Sequence, residues 1–342
     1  MTQRRNTLYD AIALTRPNQW PILSGQFFVG VLLMAPAAQG GGCWLNTASM
    51  GVLSVAWICW VVMLNGGTLA FNSAHDQDEG PVAYLPDPPP PPSWLGSAAL
   101  VWMLTGACLG WWLVGPAFGA LVAVCVALSV LYSHRITRWK SRPGLDLLVN
   151  MLGYGIGTTT AGILAGRAAY LIGPDNGGSG DSLVALSACG SDRIVLPPIP
   201  AGDNISLAVL QAVASGGAGW FILGFGFLFG SLYPLTQLYQ MEDDQKRGDR
   251  TLVSFLGTNR ALRLAIALGL AAALAFGAGL VVRGIGLWSL APLVAAVLWL
   301  GHLVIWSLSS VTYTATDHEQ GMYRALALWG VMDITLLVAW VF

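Results

Sequence analysis

The sequence predicts an all-α integral membrane protein: nine transmembrane helices in a single bundle, with a central lipophilic cavity opening near the cytoplasmic face. Three observations carry this expectation: the composition, the length of the apolar runs and the one-sided placement of basic residues. Of 342 residues, 55% are hydrophobic, 10% are charged and 15 are tryptophan. A soluble domain carries about a quarter charged residues, so that class is excluded. The net charge of −1 singles out no partner beyond the lipid bilayer, and no nucleic acid is expected.

About 20 helical residues cross the roughly 30 Å of hydrocarbon in a bilayer. Runs of that kind fall near 19–37, 49–71, 95–113, 116–133, 144–166, 207–239, 260–282, 286–310 and 322–342. The segment before the first run, Met1 to Pro17, is polar and lacks the pattern of a cleaved signal peptide, so a retained N-terminus is expected. The second run ends in the polar residues Asn72, Asp76, Asp78 and Glu79. A proline run, Pro88 to Pro92, then forms a stiff segment without backbone donors and sets where the third helix re-enters. Between the fourth and fifth runs lies the basic stretch Tyr132 to Lys140. The connection at about 167–206 is rich in Gly, Ser, Asp and Pro and reads as an external surface loop with a short hairpin at Asp192 to Leu196. The run at 207–239 is too long for one crossing and ends in Glu242, Asp243 and Asp244. The whole chain, 1–342, is read as one membrane domain. Its five cysteines, Cys43, Cys59, Cys108, Cys125 and Cys189, have no metal-binding spacing and receive no chemistry.

Thirteen basic residues fall on the N-terminal side of the membrane: Arg4, Arg5, Arg16, Arg135, Arg138, Lys140, Arg142, Lys246, Arg247, Arg250, Arg260, Arg263 and Arg324. The other side has Arg167, Arg193 and Arg283. The positive-inside rule then places the N-terminus and the even-numbered connections in the cytoplasm, and nine helices send the C-terminus out. Both acidic clusters are therefore expected on one face.

Asn65, Asn72 and Asp76 share a helix face if the second helix continues to Asp76, and they form a polar stripe descending into the bundle. Seven acids in two segments, Asp76, Asp78, Glu79, Glu242, Asp243, Asp244 and Asp249, would repel one another without cations. Carboxylate and amide oxygens are hard ligands suited to Mg²⁺, whose remaining positions are commonly filled by substrate phosphates and water. Arg138 and Lys140 on the same side supply the charge-assisted donors that a diphosphate needs. Basic residues alone would follow from topology; the combination points to function. A diphosphate at the mouth of a bundle rich in Phe, Trp, Leu and Met suggests an isoprenoid diphosphate, whose ionisation leaves an allylic carbocation.

These residues resemble the UbiA superfamily of intramembrane prenyltransferases over most of the chain. The family's first motif, Asn-Asp-x-x-Asp-x-x-x-Asp, is matched at Asn72 and Asp76. The second, Asp-x-x-x-Asp-x-x-x-Gly-x-x-Thr, is matched at Asp244, Gly248 and Thr251. Further matches are Arg16-Pro17, Tyr132-Ser133 with Arg138, Lys140, Pro143 and Asp146, and Leu256-Gly257 with Arg260-Ala261. Ser73, Gly80 and Gln240 stand where the family has acids, and the proline run replaces its Arg-Pro-x-x-x-Gly.

The resemblance implies a nine-helix enzyme that transfers a prenyl group from an isoprenoid diphosphate donor to a lipophilic acceptor, aromatic or polyprenyl, with Mg²⁺. It implies catalytic roles for Asn72, Asp76 and Asp244. The expected metal ligands are Asn72, Asp76, Asp78, Glu79, Gln240, Asp243 and Asp244, and the expected diphosphate-binding residues are Tyr132, Arg138, Lys140 and Arg250. Two alternatives stay open. A terpene cyclase of the same fold would capture the cation with the substrate's own double bond; a secondary transporter would need charged or unwound sites near the midplane. Outside the motifs, Asp333 in the ninth run is a functional candidate because a carboxylate there is costly. Gly153, Gly155 and Gly157 read as packing residues, as do His302 and Trp306.

Overall fold

The computed structural model describes residues 7–34, 46–76, 82, 85, 87–172, 217–241, 244, 248–284 and 286–341. The hairpin expected at Asp192 to Leu196, the start of the sixth run before 217, and Asp78, Glu79, Glu242 and Asp243 lie outside the described residues. Among the described residues, nine helices form the bundle: α1 (Trp20–Leu32), α2 (Thr47–Asp76), α3 (Leu95–Leu113), α4 (Pro116–Ser133), α5 (Leu145–Leu171), α6 (Ala218–Leu238), α7 (Thr258–Val282), α8 (Leu290–Thr312) and α9 (Ala315–Val341). Among the described residues, α2 to α9 are long and apolar enough to cross a membrane, whereas α1 has 13 residues and follows a separate helix, Thr7–Leu14. The protein is a multi-pass integral membrane protein, and each apolar run of the sequence corresponds to one bundle helix.

Local chemistry explains the helix ends. Asn46 caps α2 through a reciprocal box in which the Ser49 amide donates to Asn46 Oδ1 and the Asn46 amide donates to Ser49 Oγ, both at 2.8 Å. The proline run ends where the Leu95 amide donates to the Pro92 carbonyl at 2.9 Å, and α3 begins there. Gly115, with φ of 150°, and Pro116 at the first helical position make the tight turn into α4.

Small residues draw the helices together, as expected where association in lipid rests on close packing. A Cβ at Gly162 in α5 would overlap the Phe27 carbonyl of α1, and one at Gly30 would overlap the Thr159 carbonyl. Gly155 of α5 meets Gly226 of α6 backbone to backbone, where a Cβ would approach its Cα to 2.7 Å. Gly155 and Gly157 are thus packing residues, as expected. Gly153 is different: it lines the central cavity. His302 Nε2 pairs with the Gly321 carbonyl and Trp306 Nε1 donates to His318 Nδ1, which ties α8 to α9 as packing.

Both α2 and α5 contain a π-helical stretch, at Ile58–Asn65 and Met151–Gly157. Such turns leave carbonyls unmatched and commonly mark functional sites. Here Asn65 Nδ2 donates to the Trp60 carbonyl at 2.8 Å, and Gln26 Nε2 of α1 donates to the Tyr154 and Gly155 carbonyls at 3.0 and 2.6 Å.

The two ends of the bundle differ. At one end Lys140 pairs with Asp76, Arg138 with Asp249, and Ser310 Oγ donates to Asn259 Oδ1, so the 2–3, 4–5, 6–7 and 8–9 connections meet. At the opposite end Arg283 donates to the Leu33 carbonyl at 2.8 Å and stacks over Trp340 at 4.5 Å. Replacing Gly162 by leucine should force α1 and α5 apart. The expected result is a loss of about 1–3 kcal/mol, read as a lower thermal midpoint and an early aggregation peak in detergent, whereas Gly301→Leu, with open space around its Cβ position, should leave both unchanged.

Candidate functional site

The charged end opens into a cavity of about 230 Å³ bounded by α1, α2, α4, α5, α6 and α9. Helix α2 is unbroken to Asp76, so Asn65, Asn72 and Asp76 do share a face, with Asn65 and Asn72 on the cavity wall. Its polar lining includes Asn65, Thr68 and Asn72 from α2, Ser129 and Tyr132 from α4, Asn150 from α5 and Thr236 from α6. Its apolar lining includes Ile22 and Leu23 from α1, Leu64 and Leu69 from α2, Leu232 from α6, and Leu326 from α9. Three aromatic rings line the cavity together: Tyr154 stacks on Phe229 at 5.0 Å, and Phe229 meets Trp329 edge-on at 5.8 Å.

At the mouth, the first motif is held by α4. Ser133 Oγ donates to Asn72 Oδ1 at 2.9 Å, and Asp76 forms its ion pair with Lys140. Both partners of that pair are largely buried. In the second motif the Asp249 amide donates to the Asp244 carbonyl at 2.9 Å, and Gly248 has a φ of 76°, which glycine adopts without strain. The carboxylates of Asp244 and Asp249 are both buried. Asp249 Oδ1 accepts from Arg138 and from Ser141 Oγ, both at 2.5 Å. Gln240 lines the cavity, and Arg250 is exposed beside Asp249. Among the described residues, no three His, Cys, Asp or Glu side chains converge on one point as a self-sufficient metal cage. The acids are instead interleaved with bases.

Two non-glycine residues have positive φ among those described, Arg16 at 51° and Arg138 at 39°. Both stand at this end of the bundle, where such strain commonly marks function. Arg16 lines the cavity, and its Nε is buried without a partner.

The residue that sequence reasoning undervalued is Asp146. It is fully buried, and its carboxylate accepts from five donors: the Gly144 and Leu147 amides at 2.8 Å, the Leu252 amide at 2.9 Å, Gln237 Nε2 at 3.0 Å and Tyr233 OH at 3.5 Å. Gln237 Oε1 also accepts from the Val253 amide at 3.2 Å, and Tyr233 OH meets Tyr132 OH at 2.9 Å on the cavity wall. The network joins α4, α5, α6 and the short helix Leu252–Leu256 that follows the second motif. Its sequence signal was Tyr233 and Gln237, a polar pair at i, i+4 near the end of an apolar span.

Asp333 is buried against Gly25 of α1, where a Cβ would come within 2.7 Å of its Oδ2. It does not line the cavity. His75 pairs through Nδ1 with the Phe71 carbonyl at 2.9 Å and lies 5.8 Å from the His134 ring.

The bundle has the fold of solved UbiA homologues. The chain is similar to a digeranylgeranylglyceryl phosphate synthase at TM-score 0.60 and 11% identity, over 98% of this chain and 99% of that one. It is similar to a UbiA homologue from Archaeoglobus fulgidus bound to GPP and Mg²⁺ at TM-score 0.53 and 14% identity, over 96% and 99% of the two chains. For the apo UbiA homologue from Aeropyrum pernix K1 the values are 0.56 and 15%, over 94% and 97%. No family model and no curated protein matches the sequence.

Removing the Asp146 carboxylate with Asp146→Ala strands five donors. The expected loss is about 2–5 kcal/mol of stability, measured as a drop in thermal midpoint, together with faster amide exchange in Leu252 to Leu256.

Proposed function

We propose that this protein is an intramembrane prenyltransferase that transfers a prenyl group from an isoprenoid diphosphate to a lipophilic acceptor. The observation that carries the reading is the pairing of Asp76 with Lys140 and of Asp249 with Arg138, with Asp244 bonded to the Asp249 amide, at the mouth of a cavity lined by Tyr154, Phe229 and Trp329. The Archaeoglobus fulgidus homologue of the same fold is bound to GPP and Mg²⁺, or to DMAPP and Mg²⁺, which supports the same ligands here.

The donor set fits Mg²⁺: it consists of carboxylate and amide oxygens, and it lacks a self-sufficient cage, as suits a cation shared with substrate phosphates. Asn72, Asp76, Asp244 and Gln240 would hold the ion together with Asp78, Glu79 and Asp243, the last three outside the described residues. When bound, Mg²⁺ supplies positive charge to the leaving diphosphate. Lys140 and Arg138 exchange their carboxylate partners for phosphate oxygens, with Arg250 and the Tyr132 hydroxyl adding donors. Asn72, kept in place by Ser133, fixes the donor's head against the polar lining.

The C–O bond breaks with both electrons going to the diphosphate, and the allylic cation lies against Tyr154, Phe229 and Trp329, whose ring faces stabilise it. Packing around the cavity excludes water. The acceptor forms the new bond to the prenyl carbon, and the proton it loses goes to the departing diphosphate.

Purified protein with Mg²⁺ and geranyl, farnesyl or geranylgeranyl diphosphate should release diphosphate. Asp76→Ala and Asp244→Ala should each lower the rate by about 10²–10³-fold, the scale of losing one charge-stabilising group. Chelation should abolish release, and Mg²⁺ should restore it. No release with any donor, or full release in both variants, would overturn the proposal.

The site is further proposed to face the cytoplasm, on the count of basic residues at the charged end. An impermeant maleimide should then label Arg135→Cys in inside-out vesicles only and Gly286→Cys in right-side-out vesicles only. The reverse pattern would invert the topology.

A further inference from the structure

Two imidazole rings at the charged end take no part in the diphosphate reading. His75 stands in the last turn of α2 and His134 caps the end of α4, and the fold brings their rings to 5.8 Å, centroid to centroid, with the planes inclined at 48°. Both residues are half-buried, and neither lines the central cavity. The His75 ring lies against Phe71 at 4.2 Å and beside Gly96 of α3, where a Cβ would come within 3.6 Å of its Cε1. The chain has four histidines, and the other two, His302 and His318, serve the contact between α8 and α9.

The hydrogen bonds of the two rings fix where their protons are. A carbonyl only accepts, so His75 Nδ1 carries the proton that it donates to the Phe71 carbonyl at 2.9 Å, which leaves Nε2 with a bare lone pair. A backbone amide only donates, so His134 Nδ1 is bare as well, and the Ile136 amide reaches it at 3.4 Å, a long and weak contact. Each ring therefore presents a nitrogen able to bind a metal without first losing a proton. Two imidazoles on one tetrahedral metal, with metal–nitrogen bonds of about 2.1 Å, have centroids about 5–6 Å apart, and the observed separation falls in that range. A metal-bound imidazole commonly donates its other ring N–H to a backbone carbonyl, as His75 does to Phe71. Imidazole suits Zn²⁺, Cu²⁺ and Ni²⁺, whereas Mg²⁺ prefers oxygen.

We propose that His75 and His134 bind a transition-metal dication of the Zn²⁺ class, at a site separate from the one assigned to Mg²⁺. Among the described residues no third His, Cys, Asp or Glu completes the set, so water fills the remaining positions. The adjacent Asp76 is engaged by Lys140. Bound there, the metal ties the tip of α2 to the connection that supplies Arg138 and Lys140 to the mouth. Such a site is independent of the prenyl-transfer reading.

The test uses the full-length protein without an affinity tag, in phosphatidylcholine nanodiscs, with Mg²⁺ in excess throughout and empty nanodiscs as the blank. Titration calorimetry should find one Zn²⁺ per chain, and the thermal midpoint should rise with Zn²⁺, because a ligand held by the folded state stabilises it. His75→Gln and His134→Gln should each weaken Zn²⁺ binding by more than about tenfold, since even an outer-shell partner is worth that much, and should remove the rise in midpoint. His302→Gln should change neither. With Cu²⁺ as a second probe, pulsed electron paramagnetic resonance should show coupling to two imidazole nitrogens in the wild type and to one in each variant. No Zn²⁺ uptake by the wild type above the blank, equal uptake by both variants, or a wild-type Cu²⁺ spectrum with fewer than two imidazoles would overturn the proposal. The wild-type spectrum decides the matter even where a variant fails to fold.

Discussion

The site depends on one buried carboxylate. Asp146 stands at the first turn of α5, where its Oδ1 caps the amides of Gly144 and Leu147, while its Oδ2 reaches across the bundle to α6 and to the amide of Leu252. A fully buried carboxylate is tolerated only when its acceptor capacity is filled by donors. Here it joins three segments far apart in sequence. The segment carrying Asp244 and Asp249 is fastened to the bundle through the short helix that follows it.

The mouth shows a second constraint, the balance of charge at low exposure. Asp249 is buried and Asp76 half-buried, and each has a base supplied by the same short connection between α4 and α5. A buried charge stripped of its partner is strongly unfavourable, so the bases are as necessary to the folded mouth as they are suited to an anionic ligand. Arg138 reaches its partner from a left-handed backbone conformation. Holding that conformation requires the surrounding turn, in which the Arg138 amide donates to the His134 carbonyl at 2.9 Å.

Below the mouth, six helices line the cavity with polar and apolar side chains together: Asn65, Thr68 and Asn72 of α2 and Ser129 and Tyr132 of α4 are polar, whereas Ile22 and Leu23 of α1 and Leu326 and Trp329 of α9 are apolar. Glycine contacts such as Gly155 with Gly226 bring the α5 and α6 backbones together, while carbonyls of the π-helical stretches in α2 and α5 accept from the side-chain amides of Asn65 and Gln26.

The sequence by itself determined the membrane class, the nine helices and the assembly of the charged connections, because span length, apolar composition and helical spacing are local properties. It also determined that Asn65, Asn72 and Asp76 share a face, since α2 runs unbroken to Asp76. What only the tertiary structure decided concerns partners distant in the chain. Asp146 read as one motif position among several until Leu252, 106 residues away, was seen to donate to it. Gly153 read as a packing glycine like Gly155, yet it borders the cavity, because periodicity does not say which small residue meets a neighbour and which meets empty space. Asp333, singled out as a costly carboxylate inside a span, proved to lie against Gly25 and does not line the cavity. In each case the missing information was a distance between helices, and those distances are set by packing across the bundle, which no single helix encodes.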